Sequence, residues 1–228
     1  AKEAGQSISK LLLEKHAKGN IIASTACVGG LASKIIFDNQ IEKDWEKYCP
    51  NDDNKEVIQT QLAEMVARFH QALGPENFYL EIQWNKLGAQ HLANYHIIEC
   101  AKRTGVKLVT TADSHYSDPT HWKEREIYRQ MAMLQFMKNK ETKLPESVED
   151  LKCELYPKNA EQIWDTYQSL KGQYNIYDDQ LVKESIERTP RRSFSWSKTP
   201  IRPQPSRMGS SSTGILSRIW MAWRSPFL

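Results

Sequence analysis

The middle of the chain alternates between two hydrophobic periods, and this alternation restricts the possible folds more than any other feature. Apolar residues first recur at helical spacing before Gly74-Pro75, at positions 62, 66, 69 and 73. A strand pattern follows at residues 78–83, where large apolar and more polar residues alternate. A second helical face ends before Gly105, and residues 106–111 have the composition of another strand. Helix, strand, helix and strand in this order predict a parallel α/β layer.

Further elements extend this layer in both directions. The hydrophobic pattern predicts helices near residues 7–18, 31–37 and 124–138, and a strand at residues 21–24. Apolar residues make up 39% of the chain and charged residues 26%, which is ordinary usage for a globular protein. No apolar run reaches the ~18 residues of a membrane span, and no secretory leader is visible. We therefore expect a cytoplasmic protein with no membrane partner.

A candidate metal-binding pair follows the strand predicted at residues 106–111. If the strand continued through this point, its period of two would place Asp113 and His115 on the same face. A carboxylate oxygen together with an imidazole nitrogen suits zinc, manganese or iron. The alternative is a turn at the strand end, in which Asp113 only caps the backbone.

Three sequence blocks resemble the polymerase-and-histidinol-phosphatase (PHP) domain of bacterial and phage replicative DNA polymerase III alpha subunits. Residues 20–30, NIIASTACVGG, are similar to a strand that ends in a Ser-x-Cys-x-Gly-Gly turn in that family. Residues 77–83, NFYLEIQ, and residues 105–116, GVKLVTTADSHY, are similar to two further strands of the family. The order and spacing of the blocks agree with the family, and the resemblance covers about residues 7–189.

The resemblance implies a fold and a metal site. It implies a partial, distorted (β/α)7 barrel of PHP type with mainly parallel strands. Cys27, Asp113 and His115 would descend from a cluster that binds zinc or manganese, while the parent polymerase would use magnesium. We expect these three residues at the C-terminal ends of neighbouring strands, with converging side chains. The chain has no His-x-His signature, so we expect a barrel that lacks its N-terminal half. Leu31 stands where the family usually has Glu, so the turn after Gly30 lacks a carboxylate.

Two functions follow from the resemblance. In one, the domain is a scaffold for DNA replication that contacts DNA and other replicative polymerase subunits through the parent protein. In the other, it is a metal-dependent phosphoesterase that acts as a 3′-5′ exonuclease on DNA, since clustered cations activate water and stabilise phosphoryl charge. With three candidate ligands, the scaffold is the expected function, and the isolated chain is expected to bind metal weakly and to be inactive. No Asp-x-Asp polymerase site is visible.

The charge distribution separates residues 1–189 from residues 190–228. The last 39 residues contain six Arg, one Lys and no acidic residue, which gives +7, and the net charge of +3 leaves −4 for the rest. We considered three explanations: a shifted reading frame, a disordered Pro/Ser/Arg-rich tail, and a nucleic-acid-binding segment. In the third, Trp196, Trp220 and Trp223 would stack on bases, which would make the chain a stand-alone nucleic-acid binder.

The remaining reactive residues have ordinary expected roles. The four cysteines form no Cys-x-x-Cys pattern, and apart from Cys27 we expect reduced, mostly buried thiols at positions 49, 100 and 153. Histidines 16, 70, 91 and 96 are expected on surface or partly packed helical faces. Glu81 is expected to be a solvated or paired carboxylate rather than a general base. Asp118 and His121 are weaker candidates for residues that support a metal site.

Overall fold

The structure is a computed structural model that describes residues 17–44, 48–136 and 154–188. The predicted helix at 7–18 and the basic tail at 190–228 lie almost wholly or entirely outside these residues. The described elements, in chain order, are β1 (Ala23–Ser24), α1 (Leu31–Asp38), α2 (Lys55–Leu73), β2 (Phe78–Gln83), α3 (Gly88–Thr104), β3 (Leu108–Thr111), α4 (Trp122–Phe136), α5 (Ala160–Lys171) and α6 (Asp179–Glu187). Short 3-10 turns occupy Pro75–Asn77 and Pro119–His121.

The three described strands form one parallel sheet in the order β1-β2-β3. Ala23 pairs with Phe78 at one side of β2, and Leu80 pairs with Leu108 at the other. Helices connect the strands, as parallel pairing requires, because a tight hairpin can join only antiparallel strands. The predicted parallel α/β layer is therefore confirmed. Three strands do not test the more specific prediction of a barrel of PHP type.

Strand β2 lies between the other two strands, and both of its faces are covered. Leu80 and Ile82 are fully buried, and Phe78 stacks on Phe69 of α2 with ring centroids 4.4 Å apart. The opposite face carries Glu81 and Gln83, which are also buried. Burial on both faces is typical of strands in parallel sheets. The alternation of apolar and polar residues in β2 therefore marks an apolar face and a polar interior face.

Helix α3 contradicts one expectation about the histidines. His91 and His96 are completely buried, whereas surface or partly packed positions were predicted. The prediction failed because α3 is covered on several sides, so that polar positions on its helical wheel are also inside. His70, on α2, is partly packed as predicted. Helix α3 ends where Gly105 takes a left-handed conformation, with φ of 72°, that other residues adopt at a cost.

Two C-terminal helices close the described body against the sheet. A capping box of Asn159 and Gln162 begins α5, and the Asp178 side chain accepts a bond from the backbone of α6. The α5 residue Tyr167 packs on Trp84, which directly follows β2, with ring centroids 4.8 Å apart. Burial of these large rings contributes a substantial share of the packing free energy.

Most predicted elements appear with modified ends. The strand predicted at 21–24 is shorter, Ala23–Ser24, and the helix predicted at 124–138 is described at Trp122–Phe136. The strand predicted at 106–111 begins two residues later, at Leu108. Within the described ranges, no helix has the length and apolar content needed to cross a membrane.

Candidate functional site

The C-terminal ends of the three parallel strands meet at one edge of the sheet, and a buried carboxylate joins them. Glu81 of β2 accepts hydrogen bonds from Ser24 at the end of β1 and Thr111 at the end of β3. Gln83 donates a third bond to Glu81, with its Nε2 2.9 Å from Oε1. Glu81 is only 6% exposed. Glu81 was predicted to be a solvated or a paired carboxylate, and the structure shows that it is paired.

Cys27 lies in the turn that leaves β1. Ala26, just before it, takes a left-handed conformation with φ of 61°, and the Gly30 amide donates to the Cys27 carbonyl oxygen at 2.8 Å. A Cβ atom on Gly30 would lie 2.3 Å from the Thr25 carbonyl oxygen, so this position requires glycine. The Gly-Gly pair thus closes a tight turn that begins α1 and holds Cys27 above the sheet edge.

Asp113 and His115 lie in the loop after β3, and the strand argument for them was wrong. Strand β3 ends at Thr111, and Asp113 has a left-handed backbone with φ of 48°, which Asp tolerates better than most residues. The two residues are still adjacent, because the His115 imidazole Nδ1 lies 2.6 Å from the Asp113 carbonyl oxygen. The same nitrogen is 4.0 Å from the Asp113 carboxylate. Local loop geometry, and not the strand period, brings them together.

The hydrogen bond to a carbonyl oxygen fixes the tautomer of His115. A carbonyl only accepts, so Nδ1 carries the proton and Nε2 carries the lone pair in the neutral ring. The loop itself is held by Leu155, whose carbonyl oxygen accepts from the His115 amide at 2.7 Å and the Tyr116 amide at 3.2 Å. The Tyr116 hydroxyl in turn accepts from the Leu155 amide at 3.0 Å.

Cys27 and Asp113 are electrostatic neighbours. Burial raises the pKa of the Cys27 thiol, and the negative charges of Asp113 and Glu81 raise it further. Burial also raises the pKa of the Asp113 carboxyl, and Glu81 adds to this rise. His115, Arg125 and hydrogen bonding to Cys27 lower the pKa of Asp113 and offset part of the effect. The Cys27 thiol therefore favours its protonated form.

The three predicted ligands come from the ends of parallel strands, but not from neighbouring ones. Cys27 follows β1 and Asp113 follows β3, and β2 lies between these strands. The Cys27 and Asp113 side chains nevertheless approach each other, since hydrogen bonding to Cys27 lowers the pKa of Asp113. Three of the residues at this edge, Ser24, Thr111 and Gln83, were not found by sequence reasoning. The sequence signal that could have identified them is a polar residue at the end of each apolar strand.

Other candidate residues lie in different surroundings. Asp118 accepts bonds from the amide and hydroxyl of Thr120, and the ring of His121 contacts Ser117, so both belong to the 3-10 turn. Cys49 is exposed, against the expectation of burial, whereas Cys100 is buried. Among the described cysteines all thiols are free, and Cys153 lies outside the described residues.

The donor types at the site suit zinc, but their described arrangement does not. A thiolate, a carboxylate and an imidazole can hold zinc together with a water molecule. Within residues 17–44, 48–136 and 154–188, no three His, Cys, Asp or Glu side chains are placed so that they could hold one ion. The assignment of Cys27, Asp113 and His115 as metal ligands stays a prediction.

A cleft opens beside Asp113 at the same edge. It is lined on one side by the ends of β2 and β3 and on the other by α5 and the segment before it, through Gln83, Trp84, Asn85, Thr111, Ala112, Asp113, Glu154, Leu155, Lys158, Ile163 and Thr166. The Lys158 side chain is only 5% exposed, and its ammonium pairs with Glu154 at 2.8 Å. One face of the Asp113 loop thus borders a mixed-charge cleft.

Comparison with known proteins finds one recurring relative. The chain is 34% identical over 108 residues to DNA polymerase III subunit alpha of Aquifex aeolicus, which covers 47% of this chain and 8% of that protein. It is 29% identical over 180 residues to the subunit of the same name from Helicobacter pylori, which covers 79% of this chain and 14% of that protein. A third relative, from Borreliella burgdorferi, is 30% identical over 109 residues, or 48% of this chain and 8% of that protein. No protein-family model matches the chain.

The resemblance drawn from the three sequence blocks is confirmed by these relatives. Each carries the name DNA polymerase III subunit alpha, and the similarity extends over as much as 79% of the chain. The chain spans only 8% to 14% of the length of these curated relatives. The similarity therefore concerns a small part of a much larger subunit.

Proposed function

We propose that this chain is a PHP-type portion of a replicative DNA polymerase III alpha subunit and serves DNA replication mainly as a scaffold. The observation that carries the proposal is the 180-residue similarity to an alpha subunit, which covers 79% of this chain. Its partners would be DNA and the other subunits of the replicative polymerase, reached through the parent protein. With a replicative role, the chain would act in the cytoplasm.

The bonding at the sheet edge supports a scaffold. The Glu81 carboxylate is committed to three hydrogen bonds within the protein. Buried polar groups that satisfy each other make a site rigid. Such an edge would hold a fixed surface toward neighbouring parts of the polymerase.

The scaffold role can be tested by binding to the other polymerase subunits. The chain, fused to an affinity tag, is mixed with purified subunits of the bacterial replicative polymerase, including its proofreading subunit, and the complex is measured by gel filtration. We expect a stoichiometric complex with at least one subunit. The variant Glu64→Gln, at an exposed position of α2, controls for nonspecific charge effects and should form the same complex. Absence of any complex at micromolar concentration would contradict the scaffold role.

The alternative function is a metal-dependent phosphoesterase, and the donor types of Cys27, Asp113 and His115 (thiol, carboxylate and imidazole) are the observation that favours it. A bound zinc or manganese ion would supply Lewis acidity and an activated water. The protonation of His115 at Nδ1 leaves its Nε2 as the nitrogen with a lone pair on this edge. Hydrolysis of single-stranded DNA in manganese that is abolished in His115→Ala would establish this function in place of the scaffold.

Metal titration tests the ligand assignment separately. We expect weak zinc or manganese binding by the wild-type chain, and at least about tenfold weaker binding by Asp113→Ala and by His115→Ala, because each removes a donor group. Calorimetric titration of the three proteins measures this, with His121→Ala as the matched control. Equal affinity in the wild type and both variants would eliminate the site.

A further inference from the structure

We propose that Glu81 is a positioning residue that ties together the two loops carrying Cys27 and Asp113. The purpose that we assign to this tie rests on the proposed metal site. The tie itself consists of hydrogen bonds between residues of the three strands. Glu81 acts through its hydrogen bonds to Ser24 and Thr111. It acts on the residues from which both loops begin.

The geometry of the tie is symmetric about β2. Ser24 is the last residue of β1 and donates to one carboxylate oxygen of Glu81, Oε2. Thr111 is the last residue of β3 and donates to the other oxygen, Oε1. Ser24 precedes Cys27 by three residues, and Thr111 precedes Asp113 by two. A single buried side chain thus fixes the points at which both loops leave the sheet.

Two further bonds hold Glu81 in place. Gln83 donates to Oε1 at 2.9 Å, and the Glu81 amide donates to the Thr25 hydroxyl at 2.9 Å. The carboxylate therefore has donors on both oxygens while 6% of the residue is exposed. Hydrogen bonds to a charged acceptor are among the stronger ones in proteins. A neutral, shorter side chain at this position would release both loops at once.

This arrangement explains how Cys27 and Asp113 can meet although a strand separates them. Strands that flank a central strand are about twice the spacing of ~4.8 Å apart. Both loops must lean inward over the end of β2 for their side chains to approach. The hydrogen bonds to Glu81 hold the ends of β1 and β3 in the positions from which the two loops turn inward.

Amide hydrogen exchange measures the tie without metal, DNA or a partner protein. Two reporters serve the two loops: the Gly30 amide, bonded to the Cys27 carbonyl oxygen, and the His115 amide, bonded to the Leu155 carbonyl oxygen. In Glu81→Ala we expect both reporters to exchange about tenfold faster or more, relative to amides within α3. Glu81→Gln keeps hydrogen-bonding atoms at both ends and should restore most of the protection.

Single ties can be cut in turn. In Ser24→Ala we expect faster exchange at the Gly30 amide alone, and in Thr111→Val at the His115 amide alone. Each variant removes one of the two hydroxyl hydrogen bonds to Glu81. Thr110→Val is the matched control, since it makes the same change one residue earlier, where the hydroxyl bonds Ser185 of α6 at 2.7 Å. It should leave both reporters unchanged relative to α3.

Several results would overturn the proposal. One is equal acceleration of the reporters and of α3 amides in Glu81→Ala, which would make the effect general destabilisation. Another is loss of protection in Glu81→Gln as large as in Glu81→Ala, which would assign the effect to charge instead of geometry. A failure of metal binding or of complex formation would leave these exchange rates unaffected, so it would count against the proposed function alone.

Discussion

At the scale of single residues, backbone conformation decides where the candidate groups point. Asp113 and Ala26 both have left-handed conformations, and each lies in one of the two loops that leave the sheet edge. Gly30 has a different constraint, since the space for its Cβ atom is taken by the Thr25 carbonyl oxygen. These local features turn the chain immediately after a strand, which places side chains above the edge.

The two glycines of this turn should respond differently to the same substitution. Gly30→Ala would force a Cβ atom to within 2.3 Å of backbone, so the turn must shift. We expect a loss of about 1–3 kcal/mol in the free energy of unfolding, the usual cost of overpacking. At Gly29 the nearest atom to an added Cβ is Cys27 Sγ at 3.8 Å, an ordinary contact. Urea unfolding of both variants should show Gly29→Ala close to wild type, and equal losses would refute the steric argument.

At the scale of elements, helix α3 buries two histidines in opposite conditions. The His91 ring bonds the Tyr177 hydroxyl at 2.6 Å and the Asn85 carbonyl oxygen at 2.9 Å, and it stacks on Tyr174. For His96, in contrast, the described residues provide no hydrogen-bond partner to either ring nitrogen. One helix therefore carries a satisfied polar side chain and a costly one, five residues apart.

The two histidines should differ in their contribution to stability at neutral pH. His96→Leu removes two unsatisfied nitrogen atoms, so we expect unchanged or increased stability by up to about 1 kcal/mol. His91→Leu removes the partner of Tyr177 and of the Asn85 carbonyl oxygen, and we expect a loss of about 1–3 kcal/mol. Denaturant unfolding at pH 7.5 measures both, on the same helix and with the same substitution. A larger loss from His96→Leu than from His91→Leu would contradict the assignment of bonds.

At the scale of the whole molecule, buried neutral histidines make the fold sensitive to acid. Burial lowers the pKa of His91 to about 4, and burial with the charge of Lys55 lowers the pKa of His96 to about 4. Near His96, Asp52 and Glu99 act in the opposite direction. In the unfolded chain both rings titrate near their ordinary value of about 6.5. Between these values the unfolded state binds more protons than the folded state.

We therefore expect the free energy of unfolding to fall as the pH is lowered from about 6.5 to about 4. The free energy of unfolding should change by up to about 1.4 kcal/mol per pH unit for each histidine. The contribution of these two rings should level off below about pH 4, because they are then protonated in both the folded and the unfolded state. Urea unfolding at several pH values measures the slope for the wild type and for His96→Leu. The variant should lose about half of the histidine contribution, and an unchanged slope would show that His96 does not titrate in this way.

The sequence by itself determined the order of helices and strands and the parallel class of the sheet, because both depend on local hydrophobic period and on turn residues. It also located Cys27, Asp113 and His115 directly after strands. Helix ends at Gly74 and Gly105 were visible for the same reason, since the conformational preference of glycine is local.

The tertiary structure decided what these residues contact. Ser24 and Glu81 are 57 positions apart, and Glu81 and Thr111 are 30 apart, so no local pattern could pair them. His91 and His96 are buried because α3 is covered by elements distant in sequence, among them the segment that carries Tyr174 and Tyr177. Asp113 lies outside the strand because β3 ends at Thr111 and the backbone then turns. The alternation of residues along a strand does not show where the strand ends. Burial and pairing arise from packing between distant segments, and only the folded chain brings those segments together.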